Sequence, residues 1–295
     1  MPTVEPPMQL RVICPIAASV TVFTTLLTCL TIVKVKHIWV GGLTWPFFSD
    51  MGRDPPAYYV FCVGLSLCAT FLFFTWIFNH QYHMLVLRDS SQKCVRVAAH
   101  LVALAGIIST PGLPILAIYD TSRHTTVHHN AANWFFYCEI IAVIINTFVT
   151  YRIYATSKAA VDQVSNMERG DTGSESLARR KKTLVIQIIF MVLFFIAFLL
   201  YIPVGQSLPG GPTPRLTVQQ CLDMNLGHTY CTETMRLSAT DTTLFDSRQT
   251  FSKSQIRAAG QLGCILTLIG YSVSFVTNDY SDPTDESKSA LRPVN

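Results

Sequence analysis

Charged side chains are scarce: Asp, Glu, Lys and Arg make up 14% of the 295 residues, against about 25% in an ordinary soluble domain. Disordered chains are far more polar, so wholesale disorder is excluded. Nine cysteines in a chain of this length are too few for the small, cysteine-dense secreted scaffolds. A net charge of +4 without a basic stripe speaks against nucleic acid as a partner. The soluble catalytic signatures are missing too: no Gly-x-x-x-x-Gly-Lys-Ser/Thr loop, no His-Glu-x-x-His, no Gly-x-Ser-x-Gly elbow. No Asn-x-Ser/Thr acceptor occurs, so glycosylation gives no independent check on sidedness. Tandem repeats are absent, as are the ten-residue alternating strands of a membrane barrel. Nothing calls for a cofactor.

What the chain has instead is unbroken apolar sequence. Half of it is hydrophobic, including 18 Phe and 11 Tyr. A bilayer core takes about 20 apolar residues as a helix. Six stretches meet or approach that length: 12–33, 58–78, 97–118, 132–151, 184–202 and 256–276. The fifth has Gln187 as its only strongly polar side chain, whereas the sixth starts weakly, with Arg257 and Gln261. Hydrocarbon cannot satisfy free backbone groups, so each run should be helical. The expected fold class is all-α, a polytopic membrane protein built as a bundle of six transmembrane helices. The first run is about twice as long as a signal-peptide core and no small-x-small site follows it before Lys34, so it reads as a retained signal-anchor.

Loop charge sets the orientation. The loop between spans 2 and 3 carries Arg88, Lys93 and Arg96; that between spans 4 and 5 carries Arg152, Lys158, Arg169 and the run Arg179, Arg180, Lys181, Lys182. Together with the termini, this side holds 13 of the 22 Lys and Arg. The positive-inside rule makes it, and both termini, cytosolic. Seven cysteines fall in or beside spans, where a thiol behaves as a small apolar group. Cys221 and Cys231 lie in the long loop on the other face, ten residues apart. They either close a ring, worth about 2–3 kcal/mol by loop-closure arithmetic, or remain two thiols.

The six-span domain is expected over 1–280. Within it, polar residues 155–178 read as a flexible cytosolic linker and 204–254 as a non-cytosolic loop; 281–295 reads as a disordered cytosolic tail. Four Pro and three Gly in 203–214 argue against regular helix there. In span 3, Pro111, Gly112 and Pro114 predict a kink, opening room beneath the loop that follows. In span 6, Ala259 with Gly263 and Gly260 with Cys264 are spaced for close helix contact.

Four constellations are candidates for chemistry or binding. The first is the loop 46–56, where Ser49 or Asp50 before Gly52 suits a tight turn, and Trp45, Phe47 and Phe48 suit an interfacial belt. It reads either as a loop fixed against the membrane or as a ligand or catalytic site with Asp50. The second is His124, His128 and His129 after Asp120. An i, i+4 pair of His124 and His128 can share a helix face, but no Cys or Glu completes a metal site, so no metal is assigned. His128 with Asp50 or Asp120 suits acid–base work, since imidazole titrates near neutrality. The third is the intramembrane polar set His100, Glu139, Asn146, Gln187 and Gln261. Such groups face the bundle interior, and Glu139 is expected toward His100. They read as interhelical hydrogen bonds or, with Glu139 on a path, as a transporter or channel. The fourth is Arg179, Arg180, Lys181 and Lys182, either a topology anchor or a patch for anionic lipid headgroups.

Three places carry a family resemblance. The stretch 46–56, with Pro46, Ser49, Asp50, Gly52, Pro55 and Pro56, resembles an aromatic-Ile-Ser-Asp-x-Gly-x-x-Pro-Pro motif that follows a Pro. His128 and Ala131 are similar to a His-x-x-Ala entry into a fourth span. Residues 258–280 look like a last span and its Thr-Phe-x-x-Asp-aromatic exit. Together they resemble the six-span family named after FRAG, DRAM and SFK, also described by its Cwh-type N-terminal domain. Many of its members carry an acidic residue followed by Trp in the last span, where this chain has Gln261-Leu262. The resemblance implies membrane lipids as partners. It brings in autophagy modulators of lysosomal membranes, plasma-membrane regulators of phosphatidylinositol 4-kinase, and Golgi or endoplasmic-reticulum factors for GPI-anchor lipid remodelling. The leading expectation is a non-catalytic regulator of lipid homeostasis or membrane traffic, meeting cytosolic proteins through its basic linker. The alternative is a lumenal factor in GPI-lipid remodelling, with Asp50 and His128 at its site. The compartment is an endomembrane (lysosome or Golgi/ER) or the plasma membrane.

Overall fold

The computed structural model describes residues 8–88, 92–165 and 172–278. Ten helices are described: α1 (Met8–Lys36), α2 (Phe48–Met51), α3 (Ala57–Val86), α4 (Lys93–Ser109), α5 (Gly112–Ile118), α6 (Thr125–Ser165), α7 (Thr172–Tyr201), α8 (Pro203–Ser207), α9 (Val218–Asp223) and α10 (Phe251–Val273). Two strands, β1 (Arg215–Thr217) and β2 (Asp241–Phe245), pair antiparallel. Six helical stretches are long and apolar enough to cross a membrane, with α4 and α5 together making the third. Around the bundle, α1 packs on α3, α3 on α4 and α5, these on α6, then α6 on α7 and α7 on α10; α10 returns to α1. The spans thus form a ring in chain order.

Helices overrun the apolar runs wherever good helix formers continue them. The polar segment 155–178, expected as a linker, is helical to Ser165 and again from Thr172. Ala155, Ala159 and Ala160 follow span 4, and extending an existing helix is far easier than nucleating one. Residues 166–171, with Arg169, and the tail 281–295 lie outside the described residues. Residues 203–214 also depart from expectation: α8 makes a turn because Pro203 sits at its first position, where a missing N–H is harmless.

The kink of span 3 falls at Thr110–Pro111, between α4 and α5. Pro111 cannot donate, and the freed carbonyls find side chains: Thr110 Oγ1 donates to Ile107 O (2.9 Å) and Trp134 Nε1 to Ile108 O (2.7 Å). Close contact in span 6 is made by Gly260, where a Cβ would stand 2.7 Å from Tyr201 N and 3.0 Å from Ala197 O on α7. Ala259, offered as a packing residue, is exposed.

Polar side chains inside the ring pair across helices. Asn79 donates to Asn146 (2.7 Å), whose amide donates to Tyr271 Oη (2.7 Å), and Tyr271 in turn donates to Val143 O (3.1 Å). Glu139 does not meet His100. It is buried against Trp76 Nε1 (3.2 Å) and Ser109 Oγ (2.5 Å), while His100 pairs with His80 (2.9 Å) on an exposed face. In a helix apolar all round, composition does not say which side faces inward. Tyr271→Phe strands the Asn146 amide and should lower stability by about 0.6–2 kcal/mol, read from reversible unfolding in mixed micelles; an unchanged midpoint contradicts this network.

Candidate functional site

The loops at one end of the ring, 37–56, 119–124 and 202–250, come together over its opening. Loop 46–56 folds around α2, one helical turn rather than the tight turn expected from Ser49 and Asp50. Gly52 N bonds Phe48 O (3.3 Å), and Gly52 must be glycine because a Cβ there would lie 2.2 Å from Phe61 Cγ. Phe48 is not interfacial: it is buried edge-to-face on Phe61 at 4.9 Å. Trp45 is exposed, Pro46 borders a small hollow against α10, and Pro55 and Pro56 lead into α3.

Two residues from the far end of the chain clasp this loop. Gln261 Oε1 accepts from Phe48 N (2.8 Å), and its amide donates to Tyr201 Oη (3.2 Å). Gln255 accepts from Thr44 N (3.0 Å) and donates to Trp45 O (3.1 Å). An amide both accepts and donates, so it ties loop to helix without burying a charge.

Residues 202–250 form a cap. Leu216, Met235 and Leu244 pack around a Cys221–Cys231 disulfide, so the ring alternative holds for that pair. Thr217 and Gln220 make a reciprocal capping box at the start of α9. Sequence reading missed how the cap is fastened. Arg53 reaches Asp54 (2.8 Å) and Trp39 O (2.6 Å), and Tyr230 from the cap donates to the same Asp54 oxygen (2.8 Å). Burial alone would favour an uncharged Arg53, but the adjacent Asp54 carboxylate outweighs it and keeps the guanidinium charged. Trp39 Nε1 donates to Phe245 O (3.0 Å).

The expected pair, Asp50 and His128, does share a site. Both line a polar vestibule of about 330 Å³ under the cap, together with Ser49, His129, Arg257 and Gln261. Asp50 accepts from Thr121 Oγ1 (3.2 Å). Burial pushes its carboxyl above the ordinary range, against the opposing pull of the Arg53 charge and the Thr121 bond. Asp120 is occupied elsewhere. Although burial works the other way, the Ser122 hydroxyl (2.6 Å) and the backbone N–H groups of Arg123 (2.7 Å) and Ser122 (2.8 Å) hold its carboxyl low. His128 Nδ1 faces Leu116 O (2.7 Å) and Tyr119 O (3.0 Å). Carbonyls only accept, so Nδ1 carries the proton and Nε2 is left as an acceptor. Ala131 is buried behind it, where α5 crosses α6 closely at Gly112. Among the described residues no group of three or more His, Cys, Asp or Glu is placed to hold a metal.

Below the vestibule a second cavity, about 80 Å³, runs into the bundle. Its wall is apolar, from Leu65 and Leu72 on α3, Leu116 on α5 and Phe135 on α6 to Val22 on α1 and Leu268 on α10. Ser49, His128 and Gln261 line both spaces. The basic run lies on α7, before the apolar stretch of that span. There Lys181 and Lys182 are exposed, Arg179 pairs with Glu175 (2.6 Å), and Arg180 donates to Ser157 on α6.

The family description Frag1/DRAM/Sfk1/Cwh43P N-terminal domain matches residues 11–205, most of the ring but neither the cap nor α10. No curated protein and no solved structure matches the chain.

Two outcomes test this geometry. Asp54→Asn leaves Arg53 buried without its counter-charge and should cost about 3–5 kcal/mol; hydrogen exchange should report the loss as exposure of the cap, and unchanged cap protection would contradict the fastening. A raised Asp50 value means that the folded state holds the proton longer, so stability falls as pH climbs from about 4 through the raised value. Asp50→Asn should remove that fall in melts run across the range, and a persisting slope would show that another group carries it.

Proposed function

This chain belongs to the Frag1/DRAM/Sfk1/Cwh43P N-terminal domain family of multi-pass membrane proteins, and we propose that it regulates lipid homeostasis or membrane traffic by binding a membrane amphiphile. Loop charge puts the vestibule on the non-cytosolic side. The observation that carries the reading is a pair of neighbouring cavities, one apolar and one of mixed polarity, that share Ser49, His128 and Gln261 in their linings. Apolar walls with a few convergent polar groups are the usual make-up of a small-molecule site. At the opposite end, the run from Arg179 to Lys182 attracts anionic lipid at about 1 kcal/mol per charge and gives cytosolic proteins a docking point. An autophagy modulator or a phosphoinositide-kinase regulator, in lysosome, Golgi/ER or plasma membrane, would work this way without catalysis.

A second reading is favoured by one feature, the His128 ring. With Nδ1 donating to carbonyls, Nε2 is available to take a proton from a lipid hydroxyl, which suits acyl transfer in GPI-lipid remodelling. His128→Ala separates the two. Loss of GPI-anchored proteins from the cell surface, with the chain still folded and delivered, supports remodelling; normal surface levels dismiss it.

The binding reading is tested by feeding cells a fatty acid that bears a photoreactive diazirine and an alkyne. Irradiation should label the protein at residues of the apolar cavity, and Ala132→Trp, which fills that cavity, should cut the labelling several-fold. Labelling that ignores Ala132→Trp, or that falls only on the outer faces of the helices, would sink it.

A further inference from the structure

The vestibule holds a cation with no counter-ion. Arg257, half-buried on α10, donates from Nε to Tyr201 O (3.3 Å), and its guanidinium carbon lies 5.9 Å from the Phe47 ring centroid. Among the described residues no carboxylate pairs with it. Three other arginines at this end do have one: Arg53 has Asp54 at 2.8 Å, Arg248 has Asp246 at 2.8 Å, and Arg123 has Asp120 at 4.0 Å; Arg215 and Arg236 in the cap, like Arg257, have none among the described residues, but neither lines the vestibule. His129 shares the vestibule and stands within electrostatic reach of Arg257. Asp50, which also lines the vestibule, has Arg53 as its cationic neighbour and makes no ion pair with Arg257. The wall formed by Arg257 and His129 is therefore short of negative charge.

A guanidinium gives up none of its charge on burial, so a partly desolvated Arg257 gains most from an anion that takes two of its N–H groups. The anion must also reach the apolar cavity, because Gln261, one turn along α10 from Arg257, lines both spaces. That cavity, at about 80 Å³, is smaller than one that takes benzene, so it has room for a short stretch of one hydrocarbon chain and not for two. Its wall is shared by α1, α3, α5, α6 and α10, so the chain enters the middle of the ring.

We propose that the bound amphiphile is an anion with a single apolar chain, its phosphate or carboxylate held by Arg257 in the vestibule and its chain threaded past Ser49, His128 and Gln261 into the bundle. This rests on the amphiphile-binding reading above and adds the charge of the head and the number of chains.

The test uses the full chain in detergent and four probes: oleate, oleoyl lysophosphatidic acid, monooleoylglycerol and glycerol 3-phosphate. Both chain-bearing anions should bind about tenfold or more tighter than monooleoylglycerol, the scale expected of a charge-assisted pair. Glycerol 3-phosphate should be far weaker than either. Whichever anion binds tighter identifies the source of the charge, phosphate or carboxylate. Arg257→Gln should abolish the anion preference while leaving monooleoylglycerol affinity within about twofold, which also shows that the variant is folded. Should it fail to fold, Arg257→Lys takes its place and should reduce the preference, because an ammonium loses the fork. Equal binding of the neutral and anionic amphiphiles would overturn the proposal yet leave amphiphile binding intact. So would a preference untouched at position 257. Glycerol 3-phosphate binding as tightly as the lysolipid would overturn it as well, by making this a free-phosphate site. If none of the chain-bearing probes binds, both the proposal and the reading beneath it fall.

Discussion

The end of α5 leaves carbonyl groups that its own helix cannot satisfy, and the site is organised by the donors that reach them. Tyr58 donates to Ile118 O (3.1 Å), Cys62 to Ala117 O (3.2 Å), and His128 to Leu116 O and Tyr119 O. Two helices, α3 and α6, thus converge on the terminus of a third. The His128 bonds have a further consequence. They fix the tautomer of a buried imidazole, so its second nitrogen is an acceptor on a residue that lines both cavities. The break at Pro111 separates α5 from α4.

From that point the chain builds upward and downward with opposite materials. Upward, the vestibule is walled by loop and cap: Asp50 on α2, Thr213 and Ser247 from the cap, Arg257 on α10. These belong to segments remote in sequence, and long-range clasps hold them: Gln261 on Phe48, Gln255 on Trp45, Tyr230 on Asp54. Downward, the walls are hydrocarbon, and Asn79, Asn146, Thr147 and Tyr271 inside the ring are paired with one another. An amphiphile matches this division, head above and chain below.

Much of the fold was legible because hydrocarbon imposes it. Six runs of the right length can only be helices, and the Pro111–Gly112–Pro114 cluster can only break one. Asp50 and His128 were legible as a pair through topology, since an even count of spans puts their two loops at the same end. What stayed hidden was azimuth and distance. Glu139 turned to Trp76 rather than His100 because uniformly apolar helices advertise no inner face. The Arg53–Asp54–Tyr230 knot and the Gln261 clasp join residues about 180 and 210 positions apart, and local pattern carries no sign of such contacts. Arg257 stood in view only as a weakness at the start of span 6; its lack of a counter-ion is a property of the assembled vestibule.

The most direct test is a cryo-EM map of the protein in lipid nanodiscs, read at Ser49, His128 and Gln261. Elongated density continuous from the apolar cavity inside the ring up to Arg257 is what the account predicts. A passage closed there by repacked side chains, with only water above it and no density below, would contradict it.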